Sequence, residues 1–416
     1  MSVNFKDKSV TMASDGQVNE LMQRLNVQWR NYVSKICGLD STPGVFQVAQ
    51  GNLGGNLGGN MGANMGLQTT DSSGLFLMAD TVPTDSPTGY YQNSSNRRST
   101  AYKDLLFSMA PQDTTELRKA LGVQYVNWIT YRKSYYANPK NKPFNQQKLF
   151  EMWANANLDL QQAQKSISVF GLTALSPLNK AIDAYNDKAN QQSFFADDGE
   201  IDNLYSYTGT IEGAQNVLDM GLKISQVNFD TATATTRANH DFTEEAVGGF
   251  YDFFEGEAGA NFEQLNAIAS NSRITITGHI NKTAQLLTQP AAWYDSGVVG
   301  KAYNHPVDNI VWMPKVRDDW DSFFKQPNGT LARYISSLLL VSDYELTVTI
   351  HAKFSESQFT QVKTEATVGI WPFFGAEGVA SHNKKFKHNE DNSLSYTISL
   401  NKGLIGIWGL NYRPAP

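Results

Sequence analysis

The spacing of apolar residues changes once along this chain, and that change constrains the fold more than any other feature. Up to about residue 205, apolar residues recur at intervals of three and four, as on one face of a helix. Beyond it they alternate with polar residues, as on strands that have one solvated face. The clearest alternating stretches are 272–281, 345–354 and 393–401.

This pattern predicts the α+β class. We expect a helical N-terminal half with a long Gly/Asn-rich loop, followed by an antiparallel β-rich C-terminal half built as a sandwich or a meander. At 416 residues the chain is long enough for two domains. The change of period places them at 1–205, mainly helical, and 206–416, antiparallel and β-rich.

Residues 15–38 carry the most regular helical pattern of the N-terminal half, with one apolar stripe. Asp15 is the predicted N-cap and Gly38 the predicted C-terminal stop. From 43 to about 100 the periodicity is lost, and Gly, Asn, Ser, Thr and Pro dominate. That composition predicts a long loop or an extended arm.

Helical periodicity returns after this loop. Asp113 and Glu116 have the spacing of a capping box, which predicts a helix that runs to about Tyr136. Pro139 ends it, because proline disfavours helix in the residue before it. Three shorter helices are predicted at about 145–156, 160–170 and 177–190, the last with Pro177 in its first turn.

The predicted loop contains four successive tetrads between residues 51 and 66: GNLG, GNLG, GNMG and ANMG. Each glycine costs about 1 kcal/mol relative to alanine in a helix, which disfavours an isolated helix here. A simple linker needs no large apolar residue at a fixed interval, yet each tetrad has one. We therefore predict an assembly arm that packs on a neighbouring surface, and a homo-oligomer as the expected state. The apolar positions of the arm are Leu53, Leu57, Met61 and Met65.

Charge and cysteine content exclude two classes of partner or site. Only 18% of the residues are charged and the formal net charge is −6, so a nucleic-acid partner is not expected. Cys37 is the one cysteine, which excludes an intramolecular disulfide and a cysteine-rich metal site. On a predicted helix, we interpret Cys37 as a packed thiol.

The sequence also bears on localisation. The N-terminal lysines are not followed by an apolar run, so a signal peptide is not predicted. The most apolar stretch, 334–350, contains Asp343 and Glu345, whose charges would be costly in lipid. We expect a protein made in soluble form in the cytoplasm. If it acts outside the cell, lysis or a dedicated export system would release it.

Catalytic signatures do not occur in the sequence: it has no P-loop, nucleophile elbow, HExxH, CxxC or EF-hand spacing. We therefore predict no catalytic, cofactor-binding or metal-ligating residue and favour a non-enzymatic protein. His279 and His351 lie on outward faces of alternating stretches, so a cross-strand pair is conceivable if their strands are neighbours. Solvated histidines are the favoured interpretation.

Two stretches, 225–236 and 256–277, are dominated by Ala, Ser, Thr, Asn and Gly and look strand-like. A hairpin with one small-residue face and one mildly apolar face can leave a soluble fold and cross a bilayer. A polar edge of an ordinary soluble sheet explains the same composition and is the favoured alternative.

Basic and aromatic side chains are the predicted contacts with a membrane or partner surface. One group lies in 382–390, predicted as a hairpin tip, where solubilising lysines are the alternative. Two tryptophans could expose their rings for the same purpose or simply pack at strand ends. The six residues are Lys384, Lys385, Phe386, Lys387, Trp293 and Trp371.

Three functional hypotheses follow, in order. The first is a non-enzymatic, self-associating protein, most concretely a toxin-like membrane-active or pore-forming one, with a membrane or glycan surface as its partner. The second is a structural protein that assembles into a filament, shell or crystal. The third is a carbohydrate-active hydrolase, because carboxylates flank aromatics in 242–263. Its candidate carboxylates are Glu244, Glu245, Glu255 and Glu257.

Overall fold

A computed structural model gives the fold of most of the chain. Helices dominate its N-terminal half and an antiparallel sheet its C-terminal half, which confirms the predicted α+β class. The residues that the structure describes are 15–39, 45–48, 72–83, 93–138, 145–195, 201–234, 253–255, 262–306, 311–313, 320–326, 328–366, 369–373, 382–400 and 404–414.

The described part of the first half consists of helices and a few short strands. The helices are α1 (Asp15–Ile36), α2 (Ser73–Asp80), α3 (Arg98–Ser108), α4 (Thr115–Leu121), α5 (Tyr125–Ala137), α6 (Gln146–Asn157), α7 (Leu160–Val169) and α8 (Ser176–Asn186). The strands are β1 (Val45–Val48), β2 (Thr81–Pro83), β3 (Asn93–Arg97), β4 (Gln191–Phe195) and β5 (Ile201–Tyr205).

The described part of the second half consists of shorter helices and mostly longer strands. The helices are α9 (Ile211–Asp219), α10 (Glu263–Ser270), α11 (Ser296–Tyr303), α12 (Trp320–Phe324) and α13 (Glu356–Glu365). The strands are β6 (Leu222–Asp230), β7 (Phe254–Glu255), β8 (Ile274–Leu287), β9 (Arg333–Ile350), β10 (Gly369–Ile370), β11 (His382–His388), β12 (Leu394–Leu400) and β13 (Gly406–Pro414).

In the part of the chain that the structure describes, seven strands form one antiparallel sheet around β9. β8 pairs with one edge of β9, and β6 continues the sheet beyond β8. The other edge of β9 is divided, because β13 pairs with its first half and β12 with its second. Asp343 lies at this fork with a φ of 53°. β1 and β11 form the outer strands beyond β13 and β12.

The predicted alternation on the strands is confirmed on β8. Ile274, Ile276 and Ile280 are fully buried, whereas Thr277 between them is exposed. The period of 2 on a strand brings these apolar residues to one side, and they share a core with residues of α1. Burial of each such side chain stabilises the fold by about 1.5–3 kcal/mol relative to exposure.

The predicted boundary at residue 205 does not separate two cores. Trp29 of α1 packs its ring against Phe229, Trp371 and Trp408, with centroids 5.4, 6.3 and 6.0 Å apart. A second core joins residues before the boundary, such as Tyr102, to later ones, such as Trp293. The change of period therefore marks a change of secondary structure, while the tertiary contacts run across it.

One part of the helical half has a core of its own. The rings of Trp128, Phe150, Trp153 and Phe170 pack together among α4–α7 and the turn that follows them. Phe150 and Phe170 stack at a centroid distance of 4.2 Å. All the buried members of this cluster lie between residues 117 and 174, so the cluster is local in sequence.

The stretch 43–100, predicted as a loop or arm, contains β1, α2, β2, β3 and the start of α3, so that prediction is wrong for these elements. The α2 residues from Gly74 to Asp80 are all buried. A helix buried on every side has no polar face and hence no period to detect. The repeat with the predicted assembly arm, Leu53, Leu57, Met61 and Met65, lies outside the described residues.

Helix ends agree with the sequence where glycine or proline sets them. α1 is followed by Gly38 in the left-handed region, with a φ of 67°, as predicted for its stop. Pro177 lies in the first turn of α8, also as predicted. The helix expected to run to Tyr136 is instead divided into α4 and α5 at Gly122, which has a φ of 53°.

The predicted capping box at Asp113 is wrong. Thr114 caps α4, since its hydroxyl accepts a hydrogen bond from the N–H of Leu117. The Asp113 carboxylate instead accepts from the guanidinium of Arg118 at 2.9 Å. Ser, Thr and Asp are all good N-caps, so the sequence does not decide between adjacent candidates such as Asp113 and Thr114.

Candidate functional site

Two long connections leave the central sheet at the same end. One joins β6, which ends at Asp230, to β8, which begins at Ile274. The other leaves β9 at Ile350 and crosses to the start of β11 at His382, which lies level with Tyr344 and not with Ile350. Ile350 pairs in register with both Ile274 and Leu394, so these strand ends are level. We call this the insert end of the sheet.

The described parts of the connection between β6 and β8 pack against α1. The connection contains β7 and α10, and α10 buries Leu265 and Ala269 in the core beneath α1. Asn266 fixes β7 to α10, because its Oδ1 accepts a hydrogen bond from the N–H of Phe254 at 2.7 Å. This helix corrects the strand-like prediction for 263–270, whereas 274–277 belong to strand β8 as predicted and 256–261 lie outside the described residues. Alanine favours helix, and residues four apart supply a buried face.

Polar contacts hold the base of this connection, and we call them the clasp. Gln28 of α1 donates from Nε2 to the carbonyl oxygens of Thr231 and Ala234, at 3.1 Å each. The N–H of Thr231 donates to the carbonyl of Ile274 at 3.0 Å, and the N–H of Ile274 donates to Thr231 Oγ1 at 2.9 Å. The clasp therefore ties α1 to both strands at the insert end.

An ion pair across β6 and β8 completes the clasp. The Arg273 guanidinium donates to the Asp230 carboxylate through both Nε, at 3.0 Å, and Nη2, at 2.5 Å. These hydrogen bonds hold the pKa of Asp230 below its usual range. The stabilising effect is present above the ordinary carboxyl pKa and is lost as the pH falls through the lowered value. Arg273 is more than half exposed, so the pair is screened by solvent.

A cavity of about 210 Å³ lies behind the clasp. Its walls come from α1, from the turn after β6 and from the connection between α10 and β8. The lining is mostly polar, and it includes Arg24, Gln28, Thr231, Ser270, Asn271 and Arg273.

The second connection is fastened by a histidine. His388 of β11 contacts Glu356 Oε1 of α13 through Nδ1 at 3.0 Å and the carbonyl of Phe354 through Nε2 at 2.9 Å. Its ring stacks on Phe359 at 5.1 Å. The carboxylate of Glu356 raises the pKa of His388 above its ordinary value. Protonated, His388 donates both hydrogen bonds and fixes α13 to β11.

The basic group predicted at a hairpin tip lies instead along the outer strand β11. Lys385 and Lys387 are exposed on one face, while Lys384 and Phe386 are partly buried on the other. The Phe386 ring packs on Tyr396 at 5.0 Å. The turn itself comes later, at 389–393, where asparagine and aspartate favour it. Charged residues on an outer strand also disfavour pairing with another chain.

Both tryptophans predicted as surface contacts are fully buried. Trp293 packs among tyrosines and donates from its indole N–H to the carbonyl of Ser206 at 2.8 Å. Trp371 donates to Asn26 Oδ1 at 2.8 Å within the core beneath α1. Both tryptophans therefore pack inside the protein, as in the alternative interpretation, and neither belongs to a contact surface. Large apolar rings are more stable inside, where their single N–H group finds a partner.

The described structure does not support the cross-strand histidine pair or a metal site. His279 pairs in register with Glu345, while His351 lies beyond the far end of that ladder, so the two do not meet. Within the described ranges, His, Cys, Asp and Glu residues form no group that could hold a metal ion. Cys37 is buried, and burial raises the pKa of its thiol to about 12.

The hydrolase carboxylates are not brought together by the described structure. Glu244, Glu245 and Glu257 lie outside the described residues, and only the backbone of Glu255 is described, in β7. The neighbouring Phe253 and Phe254 are buried, as expected for a connection anchored by aromatics.

The clasp residues were missed from the sequence. One signal was present: Gln28 follows Leu25 by three positions and therefore lies on the apolar stripe of α1. A polar residue on such a stripe must find buried partners. No comparable signal marks Asp230 and Arg273, because they are far apart in the sequence and no local pattern indicates that they pair.

Comparison of the chain with protein-family models, with curated proteins and with solved structures gives no match. Among the helices that the structure describes, none combines the length and apolar character of a membrane-spanning helix.

Proposed function

We propose that this is a membrane-active, pore-forming protein in which the connection between β6 and β8 leaves α1 and enters a bilayer as a hairpin. The observation that carries the proposal is the geometry of the insert end. β6 and β8 are antiparallel neighbours, and the described parts of the chain between them, β7 and α10, pack in the core with α1 instead of continuing the sheet. Extension of the two strands would need no change in their existing pairing.

The length of this connection and its short helix support the proposal. A transmembrane strand needs about 9–11 residues, and 231–273 is long enough for two such strands and a turn. α10 has eight residues, and isolated helices shorter than about 12 residues are marginal in water. Its helical state therefore depends on packing against α1. The contacts of the clasp are mostly polar, so water would solvate the groups that become exposed when the connection separates from α1.

Self-association follows from the same reasoning. A single inserted hairpin would leave two rows of backbone N–H and C=O groups unpaired in lipid, which costs several kcal/mol per group. Hairpins from neighbouring copies would satisfy those groups by pairing side by side. A homo-oligomer is thus part of the proposal.

A chemical lock tests whether α10 must leave α1. Cysteines replace Leu21 and Asn271, which line the cavity from α1 and from the end of α10, and a short cleavable bis-maleimide joins them. Native Cys37 is buried and does not compete. We expect the locked protein to release no dye from liposomes, and cleavage of the linker to restore release.

The matched control joins Asn228→Cys to Thr277→Cys with the same linker. These exposed residues are direct partners on β6 and β8, and they stay neighbours in both the packed and the extended forms. We expect this linker to leave dye release unchanged. The proposal is wrong if the unmodified protein releases no dye from either anionic or neutral liposomes, or if the α1–α10 lock does not reduce release.

A second candidate, a structural protein that assembles without lipid, is favoured by a different observation. β1 is an outer strand of the central sheet, and the repeat begins just after it, at residue 51. An outer strand edge can pair with another chain. Ordered assemblies seen by electron microscopy without lipid would favour this candidate, whereas rings seen only with lipid favour the first. Deletion of 51–66 would then disturb assembly more than folding, and normal assembly of that variant would refute the arm.

A further inference from the structure

β6 is an outer strand of the central sheet whose free edge is not protected by charge. Among the strands that the structure describes, it pairs with β8 alone. Outer strands expose backbone N–H and C=O groups that can pair with another chain, and charged side chains commonly prevent such pairing. β11, another outer strand, carries Lys384, Lys385 and Lys387. The middle of β6, residues 224–229, has no charged side chain, so its edge lacks this protection.

A side chain of α1 covers this edge instead. The N–H of Asn228 donates a hydrogen bond to the Tyr32 hydroxyl at 2.6 Å. Because that N–H is bonded to α1, it points away from β8 and toward the free edge of β6. In an antiparallel ladder the N–H and C=O of one residue bond to the same neighbouring strand. The Tyr32 hydroxyl therefore occupies the position that a carbonyl oxygen of an added strand would take.

Packing fixes the Tyr32 ring in this position. The ring stacks on Trp29 with centroids 6.0 Å apart and meets Phe229 of β6 at 5.4 Å and an interplanar angle of 66°. It belongs to the margin of the core beneath α1, and its hydroxyl reaches the edge. Tyr32 thus blocks strand addition at Asn228 without placing a charge on the edge.

The strand that best suits this edge is β6 of a second copy. Every copy presents the same uncharged edge, and a two-fold axis allows each edge to satisfy the other. That symmetry makes the two strands antiparallel, which sets Lys223 of each copy against the Asp230 end of the other. The Asp230 end is neutral overall, because Arg273 pairs with its carboxylate. Parallel strands would instead place the two Lys223 side chains together, which is unfavourable.

We propose that the free edge of β6 is a dimerisation edge for β6 of a second copy, and that Tyr32 keeps this edge closed in the monomer. When the Tyr32 side chain withdraws, main-chain hydrogen bonds between the two β6 strands replace its bond with Asn228. Nine residues form a small interface, so we expect a weak dimer. This pairing takes place in water, goes beyond the proposed function and does not depend on it.

Sedimentation of the full chain without lipid tests the proposal. Tyr32→Ala opens the edge, whereas Tyr32→Phe removes the hydroxyl and keeps the ring. We expect the parent to stay monomeric at about 100 μM, Tyr32→Ala to dimerise with a dissociation constant of about 10–100 μM, and Tyr32→Phe to lie between them.

Two results would overturn the proposal. One is a folded Tyr32→Ala protein that remains monomeric at that concentration, and the other is a parent that dimerises as strongly as this variant. If Tyr32→Ala does not fold, Tyr32→Phe decides, because it retains the ring that packs on Trp29 and Phe229. The proposal is then wrong if Tyr32→Phe dimerises no more than the parent.

A charge on the edge assigns the dimer to β6. Gln226 is exposed in the middle of the strand, so two lysines at this position would approach each other across the two-fold axis and repel. Adding Gln226→Lys to Tyr32→Ala should weaken dimerisation at least about tenfold. Asn155→Lys is the matched control, since it adds the same charge at an exposed position of α6, a helix with a separate core. It should leave the dimer unchanged, and a dimer that survives Gln226→Lys contradicts the β6 edge.

Single cysteines test the antiparallel orientation in the Tyr32→Ala protein. Under oxidation, Gln226→Cys should form a disulfide-linked dimer, because its two copies meet near the axis. Lys223→Cys should not, because its two copies lie about 20 Å apart in antiparallel strands, at about 3.3 Å per residue. Native Cys37 is buried and does not compete. Equally efficient linkage at the two positions would indicate parallel strands and overturn the two-fold pairing.

Discussion

At Gly278 of β8, the neighbouring strand β9 leaves no room for a side chain. The φ of Gly278 is 144°, and a Cβ atom there would overlap the carbonyl oxygen of Glu345 on β9. We expect Gly278→Ala to lower the free energy of unfolding by about 3 kcal/mol, because both the backbone conformation and the neighbouring strand oppose the methyl group. Thermal or urea denaturation measures the change.

Gly300 provides the matched control at the same scale. It lies in α11, and an added Cβ would meet no atom within 4 Å. Gly300→Ala should be neutral or should stabilise by up to about 1 kcal/mol, because alanine is the better helix former. Equal effects at the two positions would show that Gly278 is not sterically special.

At the scale of elements, His388 makes the docking of α13 depend on pH. Its pKa is raised by Glu356, so the protonated form is favoured in the folded protein. The stabilising contribution is complete below the ordinary histidine pKa of 6.5 and is lost as the pH rises through the raised value. We expect hydrogen exchange of the α13 amides to speed up across that range, beyond the intrinsic effect of pH.

His388→Gln tests how much this contact contributes to the docking of α13. The variant should dock α13 more weakly at low pH and should lose the pH dependence, whereas amides of α6, which is remote in sequence and has a separate core, serve as the reference. An unchanged pH profile in the variant would contradict the role of His388. The direction of this pH dependence also matters for the proposed function. Low pH strengthens the contact between His388 and Glu356, so loss of this contact does not trigger membrane insertion in acid.

At the scale of the whole molecule, the cores that cross residue 205 predict how fragments behave. A fragment of residues 206–416 lacks α1, and so exposes the apolar face that Trp29 covers. We expect it to bind a hydrophobic dye and to unfold without a cooperative transition. Residues 113–175 hold a core drawn only from 117–174 and should remain helical. A cooperatively folding 206–416 fragment would contradict this prediction.

Sequence patterns revealed the elements that have one solvated face and missed those that do not. α1 and β8 show clear periods because one face of each is buried and the other is at least partly exposed. α2 is buried on every side, and α10 is made of small residues that suit either a helix or a strand, so neither has a distinctive period. Sequence patterning therefore reports on exposure as much as on secondary structure.

The candidate site was less predictable than the fold. The clasp joins Gln28 to residues about 200 positions away, and its ion pair spans 43 positions. Local patterns cannot contain such pairings, since they depend on how the sheet is ordered. Surface placement also failed for Trp293 and Trp371, because a tryptophan near a strand end suits a buried position as well as an exposed one.

β9 belongs to three strand ladders at once, with β8 on one edge and both β12 and β13 on the other. A residue inserted within β9 would turn every later side chain of that strand to the opposite face. The error would spread to three pairings, and no single neighbouring strand could shift to absorb it. We therefore expect insertions and deletions to be tolerated in the connections of this fold but not in β9, because the register of three strand pairs depends on its length.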